Sequence, residues 1–108
     1  MQISTIEQMK IFSPEKMKKT KLFDTDRMFC DLYCFEPEQF QKPHAHDGQD
    51  KVYIVLEGEG CFQVDEEEKT VAKGSAVLAP SGSVHGVKNR SSKRLVLLVF
   101  MAPKPEHG

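Results

Sequence analysis

The chain has 108 residues, enough to bury one hydrophobic core but not two, which implies a single domain. Its 15 basic and 16 acidic residues leave a formal net charge of -1, so no global field holds a polyanion, and a nucleic-acid partner is not expected. The longest apolar run, Leu95 to Ala102, is too short to span a bilayer, and the N-terminus lacks the basic start and apolar stretch of a signal peptide; the expectation is a soluble protein with no membrane partner.

In chain order, Ser13-Pro14-Glu15 can cap and start one short N-terminal helix, because Pro suits the first helical position and Ser the one before it. The basic run Lys16, Lys18, Lys19 and Lys21 is followed by Asp24 and Asp26 and carries no interleaved aromatics, so it reads as a solvated surface segment. Strands are then predicted near Arg27 to Phe35, Gln39 to His46, Lys51 to Glu57, Cys61 to Val64, Lys69 to Ala72, Ala76 to Ala79, Ser83 to Asn89 and Arg94 to Met101. Pro37, Pro43, Gly58, Gly60, Gly74, Pro80 and Gly82 punctuate them, and the acidic run Asp65 to Glu68 reads as a turn. Cys30 and Cys34 share strand parity with Leu32 and read as small core residues. With Cys61 they form an odd set without a CxxC pair, which argues against a disulfide framework and for a reducing cytoplasm. The segment from Pro103 onward, with His107, reads as a loose solvated tail. The whole pattern, short strands with turn residues every eight to twelve positions, is that of an all-β sandwich or barrel.

The strand Lys51 to Glu57 is apolar on both faces, with Val52, Ile54 and Leu56 on one and Tyr53 and Val55 on the other. One face suits a barrel interior. The other requires a second layer or a partner subunit, which predicts a homodimer. If Gly58 and Glu59 form a two-residue turn, Cys61 to Val64 pairs back on this strand. Phe62 and Val64 then join the Tyr53 face, and Glu66 falls opposite Lys51.

Three histidines carry the chemistry. His44 and His46 stand at i and i+2, so on a strand both imidazoles point to one face, and His85 from a distant strand can complete a three-nitrogen metal site. Nothing resembles a nucleotide loop, a serine triad or a Cys-His nucleophile.

The stretch Glu38 to Gly58 resembles the first cupin motif, with His44, His46 and Gly58 in place, and Gly74 to Asn89 resembles the second, with Gly74, Pro80, Gly82, His85 and Asn89 all present. The resemblance implies an all-β, cupin-type jelly-roll barrel (a double-stranded β-helix) spanning residues 1–108, with its core at about 20–102, a tail at 103–108 and at most one short N-terminal helix. It also implies a divalent metal (Zn, Fe, Mn, Ni or Cu) on His44, His46 and His85, and a small organic ligand or substrate. The activities it spans range from dioxygenases and isomerases to ligand sensors, and the fold does not choose among them. Two positions depart from the pattern. Glu38 replaces a glycine, so the turn after Pro37 is made by a residue that tolerates positive φ less well. Lys51 stands where metal-binding cupins carry Glu or Gln, and an ammonium has no lone pair and repels a cation.

The histidines then admit three readings: a three-imidazole metal face, a pocket in which Lys51 replaces the metal's charge and binds an anion, or satisfied polar residues in a barrel without chemistry. The first is adopted. Strand parity turns Asp50 away from Lys51, so it ligates only after a one-residue slip of the preceding turn, which also holds Gln49. Tyr53 and Phe62 are pocket candidates whose default role is core packing, Lys51 reads as a paired buried cation, and Glu66 is its expected partner.

Overall fold

The computed structural model describes residues 1–104. Among these residues a single short helix, α1 (Ile6–Met9), precedes nine strands: β1 (Lys18–Asp24), β2 (Phe29–Phe35), β3 (Phe40–Ala45), β4 (Asp50–Glu57), β5 (Glu59–Val64), β6 (Glu67–Ala72), β7 (Ala76–Ala79), β8 (Val84–Lys88) and β9 (Leu95–Ala102). They form two antiparallel sheets, one ordered β1-β2-β9-β4-β7 and the other β3-β8-β5-β6, which is the expected all-β jelly-roll. The inner faces enclose a core of Tyr33, Phe35, Tyr53, Val55, Phe62, Val87, Leu95, Leu97 and Val99.

Turn chemistry falls where the punctuation lies. Gly82 takes φ 82°, and Ser83 N–H donates to Pro80 O at 3.0 Å, closing the Pro80-Ser81-Gly82 turn. Glu38 does adopt the left-handed conformation, φ 73°, in a turn closed by Gln39 N–H donating to Glu36 O. Asn89 serves its own turn, its Oδ1 accepting from Ser91 N–H at 3.1 Å and its Nδ2 donating to Lys93 O at 2.7 Å.

Four expectations change. The helix lies at Ile6–Met9, whereas Ser13-Pro14-Glu15 forms only a bend in which Glu15 N–H donates to Ser13 Oγ. The basic run is exposed, as expected, but Lys18, Lys19 and Lys21 lie on a strand the sequence did not mark, edge strand β1, where lysines are tolerated because one side of the strand has no neighbour. Strand β5 does not pair back on β4. At Gly58 the chain crosses from one sheet to the other, and β5 pairs with β6 and β8 instead. Glu66 consequently lies exposed in the β5–β6 turn, and the register neighbours of Lys51 are Ala79 and Met101. Finally, Lys104 is tied down, its N–H donating to Arg27 O and its ammonium pairing with Asp24 at 2.7 Å; His107 lies outside the described residues.

The outer face of the larger sheet carries its second layer in part from the same chain. Ile6, Met9 and Phe12 pack over Leu32, Cys34 and Val96.

Candidate metal centre

The histidines converge because of a bulge. Gln41 pairs with Val87 and His44 with His85, so Lys42 and Pro43 together oppose the single residue Gly86. Proline is admissible there because a bulged position needs no ladder donor. A Cβ on Gly86 would sit 2.8 Å from Gln41 O and 3.0 Å from Pro43 N, so only glycine lets the bulge close against β8. The extra residue also reverses parity: Gln41 and His44, three apart, both face the interior. Gly82 N–H donates to His46 O at 2.8 Å and fastens the turn before His85 to the HxH strand.

The three imidazoles lie with ring centroids 4.6, 4.7 and 5.8 Å apart, and one nitrogen from each can be chosen so that all lie within 4.8 Å of one another. No second cluster of this kind occurs among the described residues. His44 Nδ1 donates to Lys42 O at 2.9 Å and His85 Nδ1 to Ser83 O at 3.1 Å. A carbonyl only accepts, so each Nδ1 carries the proton and each Nε2 presents a lone pair. His85 is 2 % exposed and its Nε2 is buried without a partner. Burial holds all three imidazoles below the usual histidine range, His85 down to about 4, with repulsion from Lys51 adding to the effect. Three neutral rings drawn together, one of them with a buried and unsatisfied nitrogen, fit a borderline metal ion.

Lys51 is 2 % exposed on the inner face of β4. Its ammonium lies 5.3 Å from the Tyr33 ring centroid, 5.1 Å from that of Tyr53 and 3.5 Å from Gln41 Oε1. No carboxylate pairs with it among the described residues. Burial lowers its affinity for a proton to a pKa of about 7; repulsion from Lys19 adds to this, and Asp31 acts weakly the other way. Gln41, missed in the sequence, is the hub here: its Oε1 accepts from Tyr53 OH at 2.9 Å and its Nε2 donates to Tyr33 OH at 3.4 Å. The signal for it was Pro43, which marks the bulge that turns Gln41 inward.

A cavity of about 700 Å³ opens over this group between β1 and β3, lined by His44, His46, Lys51, Tyr33 and Gln41. The other pocket candidates lie elsewhere. Tyr53 is buried under the site, its ring 6.3 Å from that of His85 and 5.3 Å from that of Phe62. Phe62 reaches a second, mainly apolar cavity between β6 and β7. Asp50 is exposed, its carboxylate accepting from Ser81 N–H at 3.0 Å, and Gln49 is half-buried in the turn before β4.

The cupin domain model matches residues 31–101, which contain all three histidines. The TT1209 protein of Thermus thermophilus, known from a crystal structure, is 47 % identical with a TM-score of 0.94, over 97 % of this chain and 100 % of that one. An uncharacterized protein with a double-stranded beta-helix domain from Klebsiella pneumoniae superposes with a TM-score of 0.87 at 19 % identity, over 94 % of this chain and 89 % of that one. An oxalate-binding protein of Thermotoga maritima is 28 % identical over 58 residues, 54 % of this chain and 48 % of that protein. The match across most of the chain, on the fold and the two motifs already described, establishes that this chain belongs to the cupin family.

Proposed function

We propose that this cupin binds a divalent metal ion through Nε2 of His44, His46 and His85 and takes a small organic ligand or substrate in the adjoining cavity. The buried, partnerless Nε2 of His85, aimed by the Ser83 carbonyl toward the other two rings, carries this reading. Zn, Fe, Mn, Ni and Cu all accept imidazole; such an ion supplies Lewis acidity or, for the redox-active metals, oxygen activation. The chain's own residues do the rest: backbone carbonyls fix the tautomers of His44 and His85, and Gln41 orients Tyr33, Tyr53 and Lys51. A dioxygenase or isomerase and a non-catalytic sensor both use such a centre, and a turnover screen with metal-loaded protein separates them. The free cysteines, Cys30, Cys34 and Cys61, support a reducing cytoplasm, and no described helix is long and apolar enough to cross a membrane.

Elemental analysis of protein purified without a tag or chelator tests the reading. One metal per chain is expected, lost in His44→Ala/His46→Ala; metal-free protein after metal-replete expression sinks it. Lys51→Glu restores an anionic ligand and should tighten metal binding by about tenfold or more. A second reading, in which Lys51 stands in for the metal's charge, is favoured by the burial of its ammonium without a carboxylate. It requires ligand binding to metal-free protein.

A further inference from the structure

The cavity beside the histidines is lined by five lysines, Lys16, Lys18, Lys19, Lys42 and Lys51, and by no acidic residue. Four are exposed at its mouth, and Lys51 alone is buried. The run Lys16 to Lys19, which the sequence presents as bare surface, is brought to this rim by the pairing of β1 with β2. Lys19 lies opposite Tyr33, its ammonium 5.1 Å from the ring centroid, and Lys51 sits over the same ring.

A divalent ion on three neutral imidazoles keeps its full charge, and where a carboxylate ligand would have offset it stands the amine of Lys51, which an incoming carboxylate holds in its protonated form. Cations gathered in a concave, partly desolvated site focus a positive field on whatever enters. We infer that the cavity takes a small organic dianion with two carboxylate groups, which pairs with Lys51 and supplies the metal with the anionic ligand this chain lacks. One carboxylate meets the ion and the other the ammonium, while the rim lysines steer the anion inward. Metal and anion binding are then linked: each tightens the other by the same factor. The metal half of this inference rests on the three-histidine reading above; the Lys51 half does not.

The test is zinc binding measured by competition with a chromophoric chelator, in the presence of malonate or of malonamide, its neutral counterpart. Malonate holds free zinc weakly, which opposes the expected result and so cannot mimic it. For the wild type, malonate should tighten zinc binding by about tenfold, the worth of one charge-assisted contact, and malonamide should not. Lys51→Met should still bind zinc but lose the malonate effect. The exposed triple variant Lys16→Gln/Lys18→Gln/Lys19→Gln, whose folding is not at stake, should show a smaller malonate effect with a shallower salt dependence. Equal zinc affinity with malonate and malonamide, or an undiminished malonate effect in both variants, overturns the inference. Should no zinc bind under any condition, the metal reading falls by itself. A malonate-dependent rise in Tm of the metal-free protein, absent in Lys51→Met, then upholds the anion cavity, and no such rise overturns it.

Discussion

Lys51 is shut off from water, with a glutamine oxygen and two tyrosine rings as its nearest partners. In metal-free protein its folded pKa of about 7 lies below the ordinary 10.5. Below pH 7 both folded and unfolded states hold the proton and the burial cost is present in full. Between pH 7 and 10.5 the unfolded chain binds more protons, so stability rises with pH and the cost is relieved. Lys51→Met should therefore stabilise metal-free protein at pH 6.5 by roughly 2–4 kcal/mol. The gain should shrink toward pH 10, as read from urea unfolding at both ends of that window; a pH-independent difference would refute the account. The sequence shows that a cation replaces a ligand here, but not that the cation is unpaired. That depends on β7 and β9, which place Ala79 and Met101 beside it, and on a turn that carries Glu66 away.

At the scale of elements, the β3 bulge and Gly86 act as one device. Gly86→Ala drives a Cβ against Gln41 O and Pro43 N, and either the bulge opens or the strands part. Expected are a loss of roughly 2–3 kcal/mol and, in the protein that still folds, metal affinity weakened by about tenfold or more, because His44 no longer faces His85. Wild-type metal affinity in a folded Gly86→Ala protein would show that the bulge does not position the site. Glu38 offers the opposite sign. Its positive φ is strained, and Glu38→Gly should raise stability by about 0.5–1 kcal/mol, since the exposed pair with Lys88 that it removes contributes little. Thermal unfolding reads it; a lower Tm refutes it. Eight of the nine described strands were legible because most of the turns between them carry Gly or Pro, and the two that do not, Asp65-Glu66 and residues 89–94, are runs of polar residues. Strand β1 was not, because a lysine-rich edge strand has no buried periodicity of its own and takes its form from β2.

On the scale of the molecule, the outer face of the larger sheet is only half covered. Beyond the layer of Ile6, Met9 and Phe12 run two register rows without a charge, Cys30–Phe100–Val52–Leu78 and Leu98–Ile54–Ala76. Leu78 is 57 % exposed. We propose that the homodimer expected from the two apolar faces of β4 uses this surface: sedimentation should find a dimer that Leu78→Glu shifts toward monomer. A monomeric wild type at tens of micromolar would discard it.

Local chemistry in the sequence determined where eight of the described strands lie to within a few residues, that the turns at Glu38 and Gly82 ask for left-handed backbone, and that three histidines stand at ligand positions. Period and turn signals act over a few residues and need no partner. The tertiary structure alone decided which sheet each strand joins, since at Gly58 the chain leaves one sheet for the other rather than folding back as a hairpin. It decided that the second layer begins with the chain's own N-terminal residues, and that a lysine run distant in sequence stands at the mouth of the histidine cavity. Those are matters of non-local pairing, and the residues that settle them lie on strands whose neighbours no local pattern names.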